Sequence, residues 1–493
     1  MLFHTANYAV FLPIVWLVYL LVGRVSVRSQ NFLLLVASYF FYGWWDWRFL
    51  GLIAFSSLVD YGVGLALARA RENRKRRLIL FASFGVNLGI LGFFKYYDFF
   101  ITSLIDAAAT IGIELHAPAL RIILPVGLSF YTFQALTYTV GVYRRQLPPE
   151  RDPITFFAYV AFFPQLVAGP IERAAHMLPQ FNRPRRITAD DFASGLRQIT
   201  WGLFCKLVVA DNCALVVNSI FDAHRYLPGS VVLIGAFFFA FQIYGDFSGY
   251  SHIALGSARL FGFELMQNFA TPYFSQSIPE FWRRWHISLS TWFRDFVFIP
   301  LGGSRVGTLR YVFNILVTFT VSGLWHGANW TFVIWGFLNG LYYLPHIVLT
   351  RLRKPAPALR TTPAGASQAI GRNALIVVRV LLTFFLTVLA WIFFRAKTVH
   401  SAFVMVGSLF SKSLMTNPLP LLRALELRNP IMFAGAAIAV LVAVEFVQRD
   451  KGFALQVESR PFVARWGAYA GVIALILCFR YTGSALDFIY FQF

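Results

Sequence analysis

Long apolar runs alternate with short polar segments along the whole chain, and most of those segments are basic. Tyr8–Gly23, Asn31–Trp45, Phe49–Ala68, Leu78–Phe100 and Ile122–Tyr143 read as membrane-crossing helices. Arg24 and Arg28 follow the first run, and Arg69, Arg71, Arg74, Lys75, Arg76 and Arg77 follow the third. Basic loops mark the cytoplasmic side, which predicts an N-terminus outside. Met1 to Thr5 carries no basic segment, so the first run is expected to stay in the membrane and not to be cleaved. Lys95 and Asp98 stand three apart on one helical face, a spacing that allows pairing. Phe156–Pro170 is interrupted by Pro164, Gly169 and Pro170, and reads as a re-entrant or broken helix.

Arg173–Arg197 is polar and basic and is expected on the cytoplasmic surface, followed by a hairpin of Gln198–Val217 and Val231–Tyr244. Asp246–Arg310 is less hydrophobic yet rich in Trp and Phe, and is expected along or inside the cytoplasmic interface. The run from Tyr311 to Leu349 is too long for one crossing, so two helices are expected to meet near Asn329. Arg351–Arg372 reads as a cytoplasmic linker, and three spans close the chain near Asn373–Phe394, Ile431–Val447 and Trp466–Cys478. The pattern predicts an all-α polytopic membrane protein of about 12 spans with both ends outside. Arg395, Lys397, Arg423 and Arg428 then fall on the outer side, against the rule.

Composition supports the membrane assignment: 58% of residues are hydrophobic and 13% charged, more apolar surface than a soluble chain can hide. The net charge of +21 would suggest nucleic acid in a soluble protein. Here the charge sits in loops between apolar runs, so anionic lipid is the expected partner and nucleic acid is not. Cys205, Cys213 and Cys478 have no metal-ligand spacing, and neither a metal site nor a disulfide framework is expected.

Two stretches carry candidate chemistry. In Val321–Trp330, His326 stands between Gly323 and Gly327. An ionisable group inside a membrane segment is costly and marks a functional site by default. Small residues on one helical face let another helix approach closely. The same pattern also fits a histidine that hydrogen-bonds across a helix interface, or one in an aromatic belt. In Ser277–His286, Ser277 and Glu280 have capping-box spacing and Pro279 suits a first turn, so a helix should start there. Trp282, Trp285, Leu289 and Trp292 or Phe293 would then share one face, with Arg283, Arg284 and Arg294 nearby. This fits an interfacial amphipathic helix. It equally fits the wall of a donor site, with Arg for phosphate and aromatics for an adenine or acyl chain. His286 is the second candidate catalytic group. Asp246, within Tyr244–Tyr250, reads as a buried carboxylate at a kink, of the kind that pairs with an arginine. No P-loop, GxSxG elbow, HExxH or kinase signature is present.

The motifs run in order through most of residues 120–345: Pro125–Gln134, Phe163–Ile171, Asp246–Ser251, Phe281–Ser290, Ile299–Gly303 and Ser322–Gly327. By these the chain resembles the membrane-bound O-acyltransferases, and among them the bacterial alginate O-acetyltransferase branch. The resemblance implies a ring of helices around a thin central region with a tunnel linking the two membrane faces. It implies His326 as the essential histidine and His286 as the second active-site position. It divides one integral membrane domain into N-terminal spans (1–119), a catalytic core (120–349), a linker (350–372) and C-terminal spans (373–493).

The expected reaction moves an acetyl group from a cytoplasmic thioester, acetyl-CoA, to an exported polysaccharide at the bacterial inner membrane, with periplasmic partner proteins and no bound cofactor. His326 is expected to deprotonate the acceptor hydroxyl, with His286 or Asn329 orienting the thioester or stabilising its oxyanion. Arg283 and Arg284 are expected to meet the donor at the cytoplasmic side, with Trp285 and Asp246 as further binding positions. His286 is expected nearer the cytoplasm and His326 deeper. A sister group transfers D-alanine from a carrier protein to teichoic acid, and this is the alternative reaction. A transporter would show paired halves and polar residues lining several spans, and neither is evident.

Overall fold

The structure, a computed structural model, describes all residues except 117–119, 121, 168, 353–365, 454, 482, 484–487 and 492–493, with backbone alone for 366–372 and 491. Among the described residues it is helical, with no strand. Eight helical stretches are long and apolar enough to cross a membrane, against about 12 spans expected from the sequence. The difference lies partly in continuity: the stretch Val27–Arg69 holds two of the expected spans. It lies also in length, since Ala6–Val22 is apolar but shorter and the expected span Ile122–Tyr143 is helical over only 16 residues, Leu128–Tyr143. The chain is a multi-pass membrane protein. Its internal contacts divide it into two compact units that interleave along the sequence.

The first unit comprises Met1–Phe204, Gly249–Met266 and Leu455–Ile473. It contains α1 (Ala6–Val22), α2 (Val27–Asp46), α3 (Leu50–Arg69), α4 (Asn73–Leu91), α5 (Tyr97–Thr110), α6 (Leu128–Tyr143), α7 (Pro153–Ala161), α8 (Phe163–Leu166), α9 (Ala174–Phe181) and α10 (Ala189–Leu203). Local chemistry sets several starts. Ser26 accepts from Ser29 N at α2, Asp152 caps α7 with Pro153 in its first turn, and Thr188 and Asp191 form a capping box at α10.

The expected span Ile122–Tyr143 becomes helical only at Leu128, because Gly127 has φ 76 and sits too close to Leu166 O for any side chain. From there α6 is buried almost all round, as a helix inside a protein is. The expected break in Phe156–Pro170 is present between α7 and α8. Arg173–Arg197 is not simply a surface segment: Met177, Leu178 and Phe181 of α9 are buried. Asp98 accepts from the backbone N–H of Leu120 and Ile122.

The second unit comprises Cys205–Ser248, Gln267–Ala454 and Ala474–Phe493. It contains α11 (Asp211–Ala223), most of α12 (Gly229–Leu260), α13 (Ile278–Arg284), α14 (Ile287–Phe293), α15 (Thr308–His326), α16 (Trp330–Leu352), α17 (Ala366–Arg395), α18 (Val399–Leu409), α19 (Leu419–Ala424) and α20 (Arg428–Val447). The last helix, α21 (Phe462–Phe479), starts in the first unit and ends in the second.

Two expectations are corrected here. Asp246 stands inside an unbroken helix, since α12 runs through it to Leu260. The helix that starts at Ser277 does not carry its aromatic face through Phe293; it stops at Arg284, and α14 starts after a break at His286. The linker 350–372 falls largely outside the described residues, and α17 begins within it, at Ala366. Two of the outer basic residues are compensated within this unit. Arg395 donates to Asn218 at 2.8 Å over the Phe221 ring, and Lys397 pairs with Asp222 at 2.8 Å.

Candidate active site

His326 is the last residue of α15. The turn after it matches the local chemistry: Gly327 is extended, and Asn329 Oδ1 accepts from Thr331 N to cap α16. The two helices pack back to back through Gly323 and Gly336. A Cβ on Gly323 would lie 2.2 Å from Phe332 O, and one on Gly336 would lie 2.3 Å from Phe319 O. His326 is thus fixed at the tip of a tight hairpin, 3% exposed.

His286 is fixed by different means. It stands between α13 and α14 with φ 43 and ψ 55, a left-handed conformation that non-glycine residues enter at a cost of about 1–2 kcal/mol. Asn268 holds the turn. Its backbone carbonyl accepts from Ile287 N at 2.9 Å. Its Oδ1 accepts from Ser288 N at 3.2 Å and from Ser288 Oγ at 2.7 Å, and lies 3.3 Å from His286 Nδ1. An oxygen that already takes two donors is an acceptor toward the imidazole as well, so the network assigns the proton to Nδ1 and the lone pair to Nε2. Nε2 is buried and has no hydrogen-bond partner among the described residues. Burial pushes the imidazole from its ordinary 6.5 down to about 3, so the ring is neutral near pH 7.

The two imidazoles meet. Their ring centroids are 6.2 Å apart, inside one aromatic cage. Trp325, Trp335, Phe394 and Tyr490 surround His326 at 5.0, 5.0, 5.6 and 5.7 Å, and Phe247 packs edge-on against His286 at 4.6 Å. The two rings therefore share one site.

The remaining sequence candidates stand differently. Asp246 is 3% exposed and pairs with a lysine where an arginine was expected: Lys206 Nζ lies 2.8 Å from both Asp246 and Asp211. Lys206 reaches them from a π-helical segment, Phe204–Ala210, against which Gly245 packs. The other Asp246 oxygen accepts from Ile489 N at 2.6 Å, which holds the short turn bearing Tyr490. Asp246 therefore anchors the cage from behind.

Trp285 is buried among Phe269, Phe281 and Trp391. Arg284 pairs with Glu280 at 2.7 Å, and Arg283 is exposed. The Glu280 carboxylate also accepts from Gln276 N, so it does not complete the capping box that its spacing suggested, although Ser277 does accept from Glu280 N. Asn329 uses its amide to cap α16 and to donate to Lys397 O at 3.3 Å. Asn268, Lys206 and Tyr490 were missed in the sequence. An aromatic run at Phe488–Phe491 after the final span was the signal available for Tyr490.

Two buried histidines lie close together, caged by aromatics and shielded from water, in a helical membrane protein. The chain belongs to the membrane-bound O-acyltransferase family, whose sequence pattern matches residues 70–386. It is 41% identical over 403 residues to a probable alginate O-acetylase of Pseudomonas putida, covering 81% of this chain and 78% of that protein. It is 34% identical over 431 residues to a peptidoglycan O-acetyltransferase of Helicobacter pylori, covering 82% and 78%. A teichoic acid D-alanyltransferase of Bacillus subtilis is 27% identical over 241 residues, covering 46% and 60%. The chain is accordingly an O-acyltransferase that uses an acyl donor.

Proposed function

We propose that this protein moves an acetyl group from a cytoplasmic thioester, acetyl-CoA, to hydroxyls of an exported polysaccharide at the bacterial inner membrane. The observation that carries the reading is the pair of buried imidazoles 6.2 Å apart in one cage. A hydroxyl seated between them is within reach of both rings. His326 takes the proton of the attacking hydroxyl as its oxygen bonds to the thioester carbonyl carbon. The C–S bond then breaks, and the thiolate recovers a proton from the imidazolium. General base catalysis of this kind contributes about 10²–10⁴ in rate.

His286, neutral and presenting a lone pair at Nε2, accepts a hydrogen bond from a neighbouring hydroxyl of the sugar and so orients the acceptor. In this tautomer it has no proton for an oxyanion. Exclusion of water by the aromatic walls protects the thioester from hydrolysis. Arg283, which is exposed, meets the phosphates of the donor. Arg284, already paired, and the packed Trp285 shape that wall. The polysaccharide assignment is supported by the alginate and peptidoglycan acetylation named for two of the relatives above 30% identity. Periplasmic partner proteins hand the group onward or present the polymer.

The test is acetyl-CoA turnover by the purified protein in detergent, wild type beside His326→Ala. Turnover by wild type alone is expected. Equal turnover in the variant overturns the role of His326. No turnover in either form, with activity restored by an acyl carrier protein loaded with D-alanine, overturns the donor and replaces it with the carrier-bound one.

A further inference from the structure

The first unit carries a second polar feature that acyl transfer does not use. A cleft of about 520 Å³ opens where α3 ends, α4 begins and α6 ends. Leu67, Leu147, Pro148 and Pro149 give it apolar walls, and Arg71, Arg76 and Arg145 give it charge. Among the described residues, no acidic side chain lines it. Glu72, the neighbour of Arg71, is engaged with Lys75 at 2.7 Å.

The three arginines divide the work. Arg76 is buried, and its guanidinium donates to the carbonyls of Leu67, Ala70, Val142 and Tyr143. These are last-turn carbonyls of α3 and α6 and their caps, whose partial negative charge would repel an anion. Arg76 neutralises that repulsion and pins the two helix ends together. Arg71 and Arg145 are exposed, and neither guanidinium forms an ion pair or hydrogen bond among the described residues. Arg145 stands in a left-handed conformation at φ 59, which turns the chain sharply after α6 and into Pro148 and Pro149. Two unpaired guanidiniums at an apolar-walled cleft suit an oxyanion with several acceptor oxygens. The charge pattern of residues 69–77 places this cleft at the cytoplasmic leaflet, where anionic headgroups concentrate.

We propose that the cleft lined by Arg71, Arg76 and Arg145 is a phosphate-binding site on the cytoplasmic side. The phosphate comes either from an anionic phospholipid headgroup or from a soluble phosphate compound. The apolar walls would seat the glycerol end of a lipid.

The test uses the wild-type protein in nanodiscs, with arginine modification by phenylglyoxal read residue by residue by mass spectrometry. Arg225, exposed and in the second unit, is the reference. Phosphatidylglycerol in place of phosphatidylcholine is expected to slow modification of Arg71 and Arg145 roughly tenfold relative to Arg225. If inorganic phosphate in phosphatidylcholine discs protects both residues instead, the source is a soluble phosphate compound. If neither agent protects them beyond Arg225, the proposal is overturned. The double variant Arg71→Gln, Arg145→Asn, in which Asn tolerates the left-handed backbone, is expected to lose the preference for phosphatidylglycerol in native mass spectrometry. An unchanged preference in that variant also overturns the proposal.

Discussion

Each unit buries a polar centre, and the two are built to opposite specifications. In the first, Asp60 on α3 is wholly buried, and its carboxylate accepts from Ser83 Oγ at 2.7 Å, Asn87 Nδ2 at 2.9 Å and Thr139 Oγ1 at 2.9 Å. These donors come from α4 and α6, so one carboxylate ties three helices and is saturated in doing so. In the second, His286 is equally buried, yet its Nε2 faces the cage with no partner among the described residues. Buried polar groups in native proteins are nearly always satisfied, and an unpaired one leaves bonding capacity free. A saturated centre holds helices together, whereas an open acceptor leaves a lone pair available, as the proposed reaction requires.

Substitutions break or sharpen this contrast. His326→Ala is expected to have the largest effect, a loss of about 10²–10⁴ in kcat with membrane insertion and melting temperature unchanged, read by turnover and thermal unfolding in detergent. Lys206→Met should act on stability. It strands two buried carboxylates, at a cost of about 3–5 kcal/mol seen as a lower melting temperature. Asp60→Ala should cost about 1–3 kcal/mol by leaving its donors unpaired, while kcat per folded molecule stays constant. A hundredfold fall in kcat there would sink the contrast. Asn268→Ala should be milder on turnover than His326→Ala, lowering kcat roughly tenfold with KM nearly unchanged, because only one of the three hydrogen bonds its Oδ1 accepts orients the ring.

Much of this architecture was legible because its determinants are local. Gly327 and Asn329 announce the end of one helix and the cap of the next, and the observed hairpin turns there. Pro164 and Gly169 announce the broken helix in the same way. Both histidines stood out because ionisable groups are rare in apolar surroundings. What escaped depends on partners distant in sequence. Lys206 and Asp246 are 40 positions apart, and Ile489 meets Asp246 across 243. Neither spacing nor composition points to such pairs. The break at His286 escaped for another reason: Ser277 to Phe293 has helical periodicity throughout, and a tertiary anchor, Asn268, overrides it.

The left-handed backbone at His286 has a consequence for anyone engineering this enzyme. Glycine enters that conformation freely and alanine does not. His286→Gly and His286→Ala both lose the buried ring and should be equally impaired in turnover, yet the glycine variant should outlast the alanine variant on heating. The gap between the two melting temperatures then reads the backbone strain alone, a cost legible in a single torsion angle.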